Sequence, residues 1–184
     1  HVLRCGQALY RQGIPSGITS DFMKTVLEIA AFDWAAPTSA KPPGNGVLVA
    51  SENDDRHDIA ELLSAGVLVL FDPGGNDHYE MAPIPPGRGI VIVDTSGADR
   101  YSGNSLVIGG LLALVDFSGD DVFRGEIGAV PATMGGVSIV IDLAGDDRHS
   151  ADAYAQAAAT EGSALLIDAG GDDLYQVSWY GQAT

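Results

Sequence analysis

Residues 116–123 read DFSGDDVF, and the same arrangement recurs at four other places in the chain. Each copy has aspartate at its first and sixth positions and glycine at its fourth, and a ring closes it at the eighth. The copies are DPGGNDHY from Asp72, DTSGADRY from Asp94, DFSGDDVF from Asp116, DLAGDDRH from Asp142 and DAGGDDLY from Asp168. Successive first aspartates are separated by 22, 22, 26 and 26 residues. A period of this length is typical of a stacked repeat architecture.

An apolar stretch precedes every copy, and these stretches read LVLF, IVIV, LALV, SIVI and ALLI. Short runs of this kind, rich in Val and Ile and opened by glycine, predict buried strands. One strand, the Asp-Gly turn, a second short strand and a return loop fill 22–26 residues. The sequence therefore predicts an all-β chain, a parallel β-helix or β-solenoid of about 22–26 residues per coil. The side chains expected in its core are Val69, Ile92, Leu114, Val140 and Leu166.

A weaker copy of the motif lies one interval before the first, in VLVASENDDRH. Ala50 replaces the first aspartate there, while Asp55 and His57 keep the sixth and eighth places. The segment that follows has an alternative interpretation as a short helix from Asp58 to Ser64, ended by Gly66.

The two ends of the chain do not repeat. Residues 1–45 are predicted to form a cap that contains a helix from about Thr19 to Phe32, which would cover the open end of the solenoid. Residues 46–184 are predicted to be the solenoid. At its C-terminal end WYGQAT echoes the earlier YAQAAATEG, so we expect the repeats to be truncated partway through a coil and the chain to be a piece of a larger protein.

The charge balance narrows the range of partners. The chain has 25 acidic residues against 9 Lys and Arg, a formal net charge of −16, and 46% hydrophobic residues. Such a chain packs a core but repels nucleic acid and anionic membrane surfaces. No apolar run approaches the ~20 residues of a membrane span. The single cysteine, Cys5, excludes an intramolecular disulfide.

Stacking would place equivalent aspartates above one another in columns. Two carboxylates ~4.8 Å apart repel by roughly 3–4 kcal/mol at an effective dielectric of about 20. Protonation, hydrogen bonds from backbone N–H groups or bound cations would relieve this repulsion. Oxygen ligands without cysteine favour Ca²⁺ over Zn²⁺, and a fourth-position glycine with positive φ would aim carbonyls at the ion. The predicted metal ligands are Asp72, Asp77, Asp94, Asp99, Asp116, Asp121, Asp142, Asp147, Asp168 and Asp173. The alternative is a purely architectural turn with hydrogen-bonded carboxylates.

The motif resembles the calcium-binding nonapeptide GGxGxDxUx of RTX β-rolls, through its fourth-position glycine, sixth-position aspartate and eighth-position apolar residue. The resemblance implies calcium binding at the sixth-position aspartates, which are Asp77, Asp99, Asp121, Asp147 and Asp173. The chain departs from that family in its longer period and in having aspartate, not glycine, at the first position.

No nucleophile elbow, phosphate loop, dinucleotide fingerprint or His-x-x-x-His zinc pattern occurs in the sequence. The rings at the eighth position, His57 and His149 included, are predicted to stack in the core. Arg100 and Arg148 share the seventh position and Arg124 holds the ninth, so the basic side chains do not form one column.

The first functional hypothesis is therefore a calcium-stabilised structural or adhesive segment of a larger secreted or surface protein, with divalent cations as partners. The alternative is a polysaccharide lyase or hydrolase, or a sugar-binding module, on a parallel β-helix. A long groove with exposed aromatic residues would favour this alternative, and the residues to inspect are Tyr154, Trp179 and Tyr180. Carbohydrate and other surface proteins are the further expected partners, and an extracellular or cell-surface location follows from the calcium hypothesis.

Overall fold

A computed structural model describes residues 46–181, whose strands form two parallel six-stranded sheets. The odd sheet contains β1 (Val47–Val49), β3 (Val69–Asp72), β5 (Gly89–Asp94), β7 (Gly110–Asp116), β9 (Ala132–Asp142) and β11 (Ala158–Asp168). The even sheet contains β2 (Arg56–Asp58), β4 (His78–Met81), β6 (Arg100–Gly103), β8 (Val122–Ile127), β10 (Arg148–Ala155) and β12 (Leu174–Gly181). Each coil is one odd strand, the Asp-Gly turn, one even strand and a return loop. The predicted β-solenoid is confirmed.

The strands pair in the register that the motif predicts. The first-position aspartates face one another from β3 to β11 without a slip, because Asp72 pairs with Asp94 and each later copy with the next. The four additional residues in each of the last two intervals are absorbed by longer strands and loops between the turns. The weaker copy is also confirmed, since β1 pairs with β3 and His57 pairs with Tyr79.

A short helix interrupts the first coil. Helix α1 (Ile59–Ala65) begins after Asp58, whose side chain accepts a hydrogen bond from the Glu61 N–H, and it ends at Gly66 with φ of 83°. It buries Ile59 and Leu63 against the core, so the helical interpretation of this segment is confirmed. Within residues 46–181 no helix combines the length and apolar character needed to cross a bilayer. The predicted capping helix from Thr19 to Phe32 lies outside the described residues.

The core runs as a column between the two sheets. Ile92, Leu114 and Val140 are fully buried, as predicted, and Leu166 is half-buried because β11 pairs only with β9 among the described strands. The prediction for Val69 was wrong. The inward position lies two residues before the aspartate, where Leu70 is fully buried, and a shift of one residue along a strand moves a side chain to the other face.

The fourth-position glycine is required by the distance between coils. A Cβ at Gly97 would lie 1.9 Å from the carbonyl oxygen of Gly75, and one at Gly119 would lie 1.6 Å from that of Gly97. No side chain fits at such distances. The sequence suggested that a positive φ would require the glycine. Gly97 has a positive φ and Gly119 does not, so the requirement common to both copies is the close approach of the neighbouring backbone.

Candidate metal centre

The structure gathers the predicted metal ligands inside the solenoid, next to the turns. The first-position residues Asp72, Asp94, Asp116 and Asp142 have no exposed surface, and the sixth-position residues from Asp77 to Asp147 are at most 2% exposed. Asp168 and Asp173, in the last described coil, are half-buried. Carboxylates are seldom buried this completely without partners that neutralise them.

Hydrogen bonds between coils satisfy half of each sixth-position carboxylate. The Oδ1 atom of Asp99 accepts a hydrogen bond from the Asp77 N–H at 2.5 Å, and that of Asp121 accepts one from the Asp99 N–H at 2.7 Å. The same bond recurs in every described coil from Asp55 to Asp173. This ladder is the hydrogen-bonded arrangement of the architectural alternative. It leaves the second oxygens without a hydrogen-bond partner among the described residues at Asp77, Asp99, Asp121 and Asp147.

The first-position carboxylates have partners of two kinds. One oxygen accepts a hydrogen bond from the backbone N–H two residues later, at 3.2 Å in Asp72 and 3.1 Å in Asp94. The other oxygen accepts a hydrogen bond from a ring hydroxyl, as Asp116 does from Tyr101 at 2.6 Å. Tyr79 donates in the same way to the aspartate column. Asp72 also contacts the Nε2 atom of His57 at 2.8 Å.

The eighth-position rings from Tyr79 to Tyr175 stack as predicted, with ring centroids 4.3–4.7 Å apart. The His57 ring lies 5.0 Å from that of Tyr79 and is tilted by 32° from it. Their second role, as hydroxyl donors to the aspartates, was missed at the sequence level. The signal available was the choice of tyrosine over phenylalanine, because a buried phenol requires a hydrogen-bond partner.

Asp142 lacks the hydrogen bonds that the other first-position aspartates accept. At other first-position aspartates the hydroxyl comes from the ring of the same coil or of the preceding coil. The equivalent rings for Asp142 are His149 and Phe123, and neither carries a hydroxyl. Both oxygens of Asp142 and both ring nitrogens of His149 are buried and have no hydrogen-bond partner among residues 46–181. Buried polar atoms without partners are costly, so this position points to a ligand or a proton.

Burial raises the pKa of Asp142 to about 9, and the neighbouring carboxylates of Asp116 and Asp147 raise it further. Burial likewise raises the pKa of Asp121 to about 7, although its hydrogen bond from the Asp99 N–H opposes the change. Burial also lowers the pKa of His149 to about 4, which leaves the imidazole neutral. With no cationic side chain among these groups, the coil requires either shared protons or a bound cation at neutral pH.

Five groups of side chains have the geometry of a metal site. In each group three residues place one ligand atom apiece within 4.8 Å of one another, and together the groups contain all ten predicted aspartates. The groups are Asp55, His57 and Asp72; Asp72, Asp77 and Asp94; Asp94, Asp99 and Asp116; Asp121, Asp142 and Asp147; and Asp147, Asp168 and Asp173. The fourth group, here called the central cluster, contains four carboxylate oxygens without hydrogen-bond partners among the described residues. These acidic clusters could hold a metal ion, and the central cluster is the best suited.

Comparisons with family models, with curated proteins and with solved structures found no match to the chain. The likeness to the RTX nonapeptide therefore rests on the residues of the turn.

Proposed function

We propose that this chain is a calcium-stabilised repeat solenoid that serves as a structural or adhesive segment of a larger secreted or surface protein. The observation that supports the proposal is the central cluster. Asp121, Asp142 and Asp147 are each at most 2% exposed, and together they present four oxygens that no described residue neutralises.

The chemistry of the ligands favours calcium. Every predicted ligand is a carboxylate oxygen, and Ca²⁺ prefers hard oxygen donors and accepts irregular geometry with six to eight ligands. Three carboxylates supply up to six oxygens when all bind through both atoms. Zn²⁺ and the softer transition metals prefer sites that contain nitrogen or sulfur.

Calcium in this position would strengthen contacts between coils. Asp121 belongs to one coil, whereas Asp142 and Asp147 belong to the next, so one ion would link two neighbouring turns. The central cluster shares Asp147 with the last cluster, and the first three clusters share Asp72 and Asp94, so the same linkage extends along two stretches of the stack. A rod stiffened in this way suits a spacer or adhesive role. Extracellular calcium-binding modules work at the high free calcium found outside cells, which supports a secreted or surface location.

Thermal denaturation in excess chelator, in calcium and in magnesium, at matched ionic strength, tests this function. One ion at about 100 times its Kd stabilises the folded state by about 2.7 kcal/mol, which corresponds to roughly 5–10 °C in Tm for a domain of this size. We expect calcium to raise Tm by at least this amount and magnesium to raise it less.

The variant Asp142→Asn should lose most of the calcium response of the central cluster. Asp152→Asn is the matched control, because it removes the same charge from an exposed position on β10. Equal melting temperatures in calcium and in chelator would refute the calcium function and favour shared protons within the clusters. A response that survives in Asp142→Asn would place the ion at another cluster.

A further inference from the structure

In the described part of the chain, most of the basic side chains lie on the outer face of the even sheet. Residues 46–181 contain five arginines and no lysine. Four of the arginines lie on even strands, and three of these, Arg100, Arg124 and Arg148, line one groove of about 480 Å³. The remainder of the groove wall is mostly small or polar, with Ser150, Gln176 and Ser178 among its side chains.

The parallel register explains how arginines from different repeat positions meet. Arg100 and Arg148 lie in one row across the strands, with Val122 between them. Arg124 lies one strand from each of them and two residues further along, so it faces the same side of the sheet. Arg100 and Arg148 are two strand spacings apart, roughly 10 Å. The three guanidinium groups therefore surround a recess.

The guanidinium groups of these three arginines have no hydrogen bond or ion pair with any residue of the described range 46–181, although the Arg100 and Arg148 backbone N–H groups donate to the sheet ladder. Arg56, on the same face, instead pairs with Glu80 at 2.6 Å. The groove wall therefore has three cationic side chains against one acidic side chain, Asp152. The excess positive charge is repulsive, and an anionic ligand would relieve that repulsion. The Asp columns do not serve as the counter-charge, because they are buried inside the solenoid, at the ends of the odd strands and in the turns that follow them.

We propose that this groove binds an acidic polysaccharide, with the arginines holding the carboxylates of its uronate residues. A guanidinium fork matches a carboxylate with two parallel hydrogen bonds. Hydroxyl and amide groups on the groove wall supply partners for sugar hydroxyls. Asp152, also on the wall, together with the net charge of −16, opposes a dense polyanion such as nucleic acid.

Exposed aromatic residues extend the surface beyond the polar groove. Tyr154 and Tyr180 lie two residues beyond Asp152 and Ser178 on strands β10 and β12, stack with centroids 5.2 Å apart, and are 42% and 64% exposed. Their apolar ring faces combined with polar edges suit the faces of sugar rings.

Isothermal titration calorimetry with a hexamer of galacturonic acid tests the proposal on the gel-filtered protein at physiological salt. The fully methyl-esterified hexamer keeps the sugar ring and its free hydroxyls but removes the charge, and polyglutamate keeps the charge but removes the sugar. We expect binding of the free acid and at least tenfold weaker binding of both other probes. Equal binding of the ester, or of polyglutamate or single-stranded DNA, would overturn the assignment to an acidic glycan.

Arg124→Gln should weaken binding of the free-acid hexamer about tenfold or more, because a hydrogen bond to a charged group is lost. Arg100→Gln provides a second variant in case the first does not fold. Arg88→Gln is the matched control, since it makes the same charge change on an exposed side chain outside the groove. Equal weakening by Arg88→Gln would show a nonspecific charge effect and overturn the site. The methyl-esterified hexamer and the arginine variants do not alter the aspartate clusters. The outcome of this test is therefore independent of whether the clusters bind calcium.

Discussion

Replacing His149 with tyrosine should supply the hydrogen bond that Asp142 lacks. The His149 side chain is 1% exposed and stacks between Phe123 and Tyr175, with ring centroids 4.3 and 4.6 Å away. Neither of its nitrogens has a hydrogen-bond partner within the described part of the chain. Two tyrosines at the equivalent position, Tyr79 and Tyr175, donate their hydroxyls to the first aspartate of their own coil, which is Asp72 and Asp168 respectively.

The contribution of the tyrosine hydroxyl to stability is best measured by comparing His149→Tyr with His149→Phe. Both variants keep a stacked ring and remove the unsatisfied nitrogens, so the difference between them isolates the hydroxyl. Because burial raises the pKa of Asp142 to about 9, its carboxyl is neutral in chelator at pH 7, and a hydrogen bond between neutral groups contributes ~0.5–1.5 kcal/mol. We expect the tyrosine variant to be about 0.5–1.5 kcal/mol more stable than the phenylalanine variant in chelator. That difference corresponds to roughly 1–6 °C in Tm.

Differential scanning calorimetry of both variants, in excess chelator and in calcium, measures this difference. Calcium should narrow it, because the ion would occupy the same oxygens of Asp142 that the tyrosine hydroxyl would reach. Identical melting temperatures for the two variants in chelator would refute the argument that Asp142 is the unsatisfied position in the column.

Two further predictions concern the columns and the turn. In chelator the free energy of unfolding should fall as pH rises from about 4 to about 9. Burial raises the pKa of Asp94 and Asp142 to about 9. Over this pH range the folded chain therefore holds protons that the unfolded chain releases. Chemical denaturation across that pH range measures the free energy of unfolding. Calcium should make this free energy depend less on pH. A free energy of unfolding that rises with pH would contradict the raised pKa values. Gly119→Ala should destabilise by about 4 kcal/mol or more, since its Cβ would lie 1.6 Å from the Gly97 carbonyl oxygen. Gly170→Ala is the control, with its nearest atom at 3.9 Å, and equal melting temperatures would contradict the steric argument.

The fold was predictable because the repeat carries its own register. Aspartate, glycine and a ring hold fixed places within every copy, so they allow only one alignment of successive strands even though the interval changes from 22 to 26 residues. The degraded copy around Ala50 and His57 follows the same alignment. The error at Val69 shows the limit of this approach. The face of a side chain depends on a shift of one residue, and an apolar stretch such as LVLF does not show which of its members points inward.

The partners of the aspartates were less predictable. The sequence showed that the carboxylates would repel one another and named backbone N–H groups and cations as remedies. It did not show that a tyrosine hydroxyl of one coil reaches the carboxylate of the next, as Tyr101 does to Asp116, because that contact joins two columns across the interior. The arginine groove was missed for a similar reason. Arg124 occupies a different repeat position from Arg100 and Arg148, and only pairing across strands brings the three together.

Both candidate sites arise where the chain departs from its repeat. Where every position is regular, hydrogen bonds between coils and ring hydroxyls satisfy most of the buried carboxylate oxygens, and the stack is a scaffold. Phenylalanine at 123 and histidine at 149 remove two ring hydroxyls from one place. Asp142 is left without a hydrogen-bond partner among the described residues, beside the free second oxygens of Asp121 and Asp147. On the outer face, arginines at unequal positions of the repeat line one recess. In a repeat protein of this kind the regular positions specify the architecture, so the irregular positions are where substitutions should change ligand binding with little change to the fold.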